Sequence, residues 1–74
     1  MDEEAKAIGE RLQKARTDCA LKKKEVAKVL GCKKKDVKQL ERGRAPVSMF
    51  DLQKLVHLYG TTYEKLMGGG HTET

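Results

Sequence analysis

Apolar residues recur at helical spacing through five separate stretches of the chain. Ile8, Leu12, Ala15 and Cys19 lie three to four residues apart, after an acidic start of Asp2, Glu3 and Glu4. Acids there suit the positive end of a helix dipole, and the spacing predicts a first helix over Glu3–Thr17. Leu21 opens a second apolar set with Val26, Ala27 and Leu30, and Gly31 follows it. A glycine free to take positive φ makes a sharp stop, so a two-turn helix is predicted over Lys23–Leu30. Val37 and Leu40 mark the inner side of a third helix over Lys34–Arg42, which Gly43 ends and Pro46 keeps from resuming.

Ser48, with Asp51 three residues later, reads as a capping box with a shorter acid than the usual Glu. Leu52, Leu55, Val56 and Tyr59 carry this fourth helix to Gly60. Thr61 or Thr62 caps a fifth helix whose Tyr63, Leu66 and Met67 face inward. No alternating pattern is long enough for a sheet. The expected fold is therefore an all-α, compact five-helix domain over residues 1–67, followed by a flexible glycine-rich tail over residues 68–74.

Composition narrows the function. A chain of 74 residues has room for one small core. Only three residues are aromatic, against 36% charged, which suits a helical domain. No apolar run approaches the roughly 20 residues of a membrane span, and Met1-Asp2-Glu3-Glu4 has neither the basic start nor the apolar stretch of a signal peptide. A cytoplasmic protein is expected. Cys19 and Cys32 have no metal-ligand spacing and read as reduced thiols, while His57 falls on an amphipathic stretch and His71 in the tail. With no nucleophile-and-base arrangement, the expectation is a protein that is not an enzyme and has no cofactor, metal or small-molecule substrate.

Charge distribution says more than the net +5. Residues 22–44 hold ten Lys and Arg against three acids, a local +7, and the rest of the chain is at −2. A field concentrated in this way points to a polyanionic partner.

Ala27 and Gly31 stand four residues apart between two short helices, and Val37 and Leu40 follow on the next. A small residue at a helix crossing, a glycine opening the turn and apolar residues locking the second helix are what a helix-turn-helix requires. The stretch LKKKEVAKVLGCKKKDVKQLERG, with IGERLQKAR before it and VSMFDLQKLVHLYGTTYEKL after it, resembles the DNA-binding domain of phage repressors and Cro proteins. The resemblance implies a transcriptional regulator, a repressor, that binds double-stranded DNA as a homodimer on an inverted repeat. It places the third helix in the major groove and the second across the backbone. Carried over residue by residue, it gives base contacts to Lys34, Lys35 and Gln39 and phosphate contacts to Lys22, Lys23, Lys33, Lys38 and Arg44. It also implies a structural ion pair between Arg16 and Glu41. The dimer surface is expected on the fifth helix, around Tyr63 and Met67, and on exposed parts of the fourth.

The chain departs from that family at both helix starts. Lys22 and Lys33 stand where Ser, Thr or Asn usually caps a helix. A lysine cannot accept a bond from the open amides, and it adds charge to the positive end of the dipole, at about 0.5–2 kcal/mol per cap. Glu25 and Asp36 offset part of this, and a bound phosphate would relieve the rest. The loop proline also falls one residue early, at Pro46, with Val47 in its usual place. Two other readings remain open: a protein-interaction module of repressor-like fold that grips an acidic partner, and a nucleic-acid binder without base choice.

Overall fold

The computed structural model describes residues 3–68 and contains the five helices in the predicted order. They are α1 (Glu3–Asp18), α2 (Lys23–Leu30), α3 (Lys34–Glu41), α4 (Met49–Tyr59) and α5 (Tyr63–Met67). α2 has the predicted bounds, α1 runs one residue longer and α3 one residue shorter. Gly68, read from the sequence as the first residue of the tail, closes α5 at φ 79° with its N–H on the Glu64 carbonyl. The remainder of the expected tail, His71 included, lies outside the described residues.

Four helix ends use one device. The N–H groups of Leu21, Cys32, Arg44 and Thr61 each donate back five residues, to the carbonyls of Arg16, Ala27, Gln39 and Val56. This Schellman pattern satisfies carbonyls left open at a helix end, and it needs a left-handed residue one place earlier. Glycine fills that place at positions 31, 43 and 60, but the first turn uses Ala20 at φ 58°. The turn ends α1 at Asp18, and Cys19, which continues the apolar spacing of the first helix past its predicted end at Thr17, is exposed.

Leu12, Val26, Val37, Leu52, Leu55 and Leu66 are each at most 2% exposed and, with Ala27, Leu30 and Tyr59, make the core. α3 packs on both α2 and α1, and α5 closes against α1 and α4. Val26 and Val37 hold equivalent places, each directly after the acid that follows a lysine triplet. Burying them sets the rotation of both helices and leaves Lys22, Lys24 and Lys33 to Lys35 exposed. Tyr63, expected to face inward, is 44% exposed. A helix of five residues makes little more than one turn, and α5 spends its inner face on Leu66.

The closest backbone approach lies where α1 crosses the end of α3. A Cβ on Gly9 would stand 2.5 Å from the Glu41 carbonyl oxygen, and one on Gly43 would stand 2.6 Å from the Lys6 Cα. Both positions require glycine for space, and Gly43 also for its φ of 72°. No described helix is long and apolar enough to cross a membrane.

Two substitutions test these readings by thermal unfolding. Gly9→Ala should destabilise the protein, because overpacking by about 1–3 kcal/mol exceeds the ~1 kcal/mol that alanine gains over glycine in a helix. Ala20→Gly should raise stability by about 0.5–1 kcal/mol, because relief of the left-handed backbone outweighs the flexibility glycine adds to the unfolded chain.

Candidate nucleic-acid interface

The starts of α2 and α3 are near copies of one another. Lys22 caps α2 at φ −95° and ψ 156°, and Lys33 caps α3 at φ −96° and ψ 157°. The Lys22 N–H donates to Glu25 Oε1 at 2.7 Å, and the Lys33 N–H donates to Asp36 Oδ2 at 3.0 Å. Each acid thus reaches back to the cap residue and completes half of a capping box. The reciprocal half needs an acceptor on the cap side chain, which an ammonium is not. The Glu25 and Asp36 amides turn instead to the carbonyls of Lys22 and Lys33, at 3.0 and 2.9 Å. That leaves the amides of Lys23 and Lys24, and of Lys34 and Lys35, with no protein acceptor among the described residues. Each helix therefore opens on two free N–H groups flanked by lysines.

The cations assigned from the sequence divide between two depressions and the exposed side of α3. Lys22, Lys23, Lys24 and Lys34 line one depression of about 410 Å³, with the Arg16 guanidinium also in its wall and no carboxylate lining it. Lys34, a base reader by resemblance, therefore borders the same hollow as the phosphate candidates Lys22 and Lys23. Lys24 joins the set although the sequence reading gave it no role. Lys33, Lys35 and Lys38 are exposed and Gln39 is half-buried along α3.

Arg44 lies apart from that hollow. It shares a second depression with Lys6, Glu10, Gln13, Glu41 and Arg42. Lys6, Gln13 and Arg42 were missed from the sequence, although positions 6, 10 and 13 have the spacing of one helix face. The nearby acids make this side less strongly cationic than the first.

Arg16 and Glu41 connect the two regions. Arg16 Nε donates to Glu41 Oε2 at 2.7 Å and Nη2 to Oε1 at 3.2 Å, while Nη1 donates to the Leu21 carbonyl at 2.9 Å. The residues are 8% and 6% exposed. The bond to Glu41 raises the guanidinium pKa, against the opposing effect of burial. One side chain thus ties the end of α1 to the end of α3 and to the residue that leads into α2. Tyr59, next to this pair, has its phenol pushed up from its usual range, first by burial and then by the Glu41 charge.

Truncating one partner should be far more damaging than trimming a cap. Glu41→Ala should cost about 3–5 kcal/mol in chemical unfolding, because it strands a buried guanidinium. Lys33→Ser should raise the stability of the free protein by about 0.5–2 kcal/mol, because serine accepts the bond that lysine cannot. A variant no more stable than the parent would show that the cap costs nothing.

The comparisons with known proteins agree with this arrangement. No curated protein sequence matches the chain. A family model described as a helix-turn-helix domain matches residues 7–66, from the first turns of α1 to the buried leucine of α5. With most of its length so matched, the chain belongs to the helix-turn-helix domain family.

Proposed function

We propose that this protein is a sequence-specific regulator of transcription, a repressor of the phage repressor and Cro type, that binds double-stranded DNA as a homodimer on an inverted repeat. The observation that carries the reading is the gathering of Lys22, Lys23, Lys24 and Lys34 at the lysine-capped starts of α2 and α3, where backbone amides stand open as at any helix start. Helix starts of this kind bind phosphate through both the N–H groups and the dipole. Family membership supplies the context in which α3 enters the major groove and α2 lies across the backbone.

In this reading Lys22, Lys23 and Lys24 take the phosphate that faces α2, with Lys34 at the edge of the same hollow. Lys33 and Lys38 hold the phosphates flanking α3, and Arg44, with Arg42 and Lys6 beside it, extends the contact past the end of that helix. Lys34, Lys35 and Gln39 read the bases. Lysine donates to the O6 and N7 of guanine and glutamine pairs with N6 and N7 of adenine, so a G-containing half-site is expected. One short helix offers few base contacts, which is the reason for a dimer on two half-sites.

Selection from a random duplex pool tests the whole reading: enrichment of an inverted repeat with a fixed half-site spacing supports it, and a pool without enrichment rejects sequence-specific binding. On the selected site, Gln39→Ala should lose about 1–3 kcal/mol of discrimination at one base pair. Lys23→Ala should weaken selected and random duplexes alike. With about five phosphates neutralised per subunit, the dimer's log–log salt slope should lie near about −9. Equal effects of both variants on both duplexes would overturn the division into readers and anchors.

A further inference from the structure

α4 carries a second face that neither the core nor the cationic surface uses. Phe50, the one phenylalanine of the chain, is 80% exposed. It lines a depression of about 520 Å³ with Gln53, Lys54 and His57 of its own helix, Leu58 at the edge, and Val29 from the last turn of α2. Positions 50, 53, 54 and 57 recur at i, i+3, i+4 and i+7, so they form one stripe along the outside of α4. Val29 is 43% exposed and Met49, beside Phe50, is 56% exposed. The depression shares no lining residue with either cationic hollow.

A stripe of helical pitch beside an apolar hollow fits a helix laid along α4, with its apolar residues over Val29, Phe50 and Leu58. The charge around the hollow decides whose helix it is. Lys54 lines it, and no carboxylate does. A second copy laid along this stripe is a poor occupant, because a two-fold axis through its middle would bring Lys54 towards the partner's Lys54. DNA has no use for an exposed phenyl ring and an apolar hollow at this site. We propose that the α4 face, with Val29, is a docking groove for an amphipathic helix of another protein, one whose apolar stripe is flanked by carboxylates that meet Lys54.

The test uses the full chain and a labelled amphipathic peptide of about four helical turns. The peptide has leucines at i, i+3 and i+7 flanked by glutamates, and in a control version lysines replace the glutamates. Binding is read by fluorescence anisotropy and mapped by amide chemical shifts. The glutamate peptide should bind about fivefold or more tightly than the lysine peptide. Its shift changes should centre on Val29, Phe50, Lys54 and Leu58. Phe50→Asp should weaken it at least about tenfold, as expected for a central anchor, with an unchanged melting curve because the ring is exposed. Lys54→Glu should narrow or reverse the preference between the two peptides. The proposal fails if the glutamate peptide ignores Phe50→Asp and instead depends on Lys23 and Lys34, which would make the DNA-type face the site. It also fails if sedimentation shows self-association that Phe50→Asp abolishes, which would make a second copy the occupant. None of these outcomes depends on whether the chain binds DNA.

Discussion

Arg16 and Glu41 are both removed from water, and neither charge could remain there without the other. Their fork of two bonds, with a third from Arg16 to the Leu21 carbonyl, fixes three things together: where α1 ends, how the chain enters α2, and where the end of α3 lies. Hydrophobic packing alone would leave those angles looser, because α2 and α3 are only about two turns long, and α3 fully buries a single apolar side chain, Val37. The glycines at positions 9 and 43 serve the same junction by letting α1 touch the end of α3 backbone to backbone. Through this junction the two cationic helix starts acquire a fixed separation and direction, which a surface that follows a groove requires.

Against that rigid frame, the helix starts are locally incomplete. Glu25 and Asp36 each satisfy one amide by reaching back, but in return the lysines at the caps offer only their backbone carbonyls and no side-chain acceptor. The first two amides of α4 and α5 are equally open, as at any helix start, but there the third amide, of Asp51 or Lys65, is capped by the Ser48 or Thr62 hydroxyl, and no lysine stands at the cap. Hydroxyl caps thus stand at α4 and α5, and lysine caps at the two helices of the helix-turn-helix. Local rules tend to be broken where function needs it, and the stability is recovered elsewhere.

Much of this was legible in the sequence because it depends on local spacing. The bounds of α2 follow from Gly31 and the apolar set before it, and the α4 cap from Ser48. What was misread depends on contacts between distant residues or on a turn without its usual residue. The end of α1 was placed within one residue, but the left-handed turn that makes it falls at Ala20, where the sequence has no glycine to announce it, and it leaves Cys19 exposed although Cys19 continues the apolar spacing. Tyr63 looked inward by spacing, yet α5 is too short to bury a second side chain fully. The tight crossing at Gly9 could not be foreseen, since it exists only once α1 and α3 are packed. The Arg16–Glu41 pair was named by resemblance, and periodicity alone would not have joined residues 25 apart. Among the interface residues, Lys6 and Gln13 carried a readable face signal, whereas Arg42 and Lys24 come into place only through the fold.

The proposed reading rests on the lysine-capped helix starts of α2 and α3 being the place where an anion binds. Proton–nitrogen correlation spectra recorded while duplex DNA is added at low salt would observe them directly. The largest changes, with slowed hydrogen exchange, should fall on the amides of Lys23, Lys24, Lys34 and Lys35, while the capped amides of Asp51 and Lys65 stay as they were. Amides at the starts of α2 and α3 that remain unmoved while DNA binds would show that the double helix is held elsewhere, and that the lysine caps have another cause.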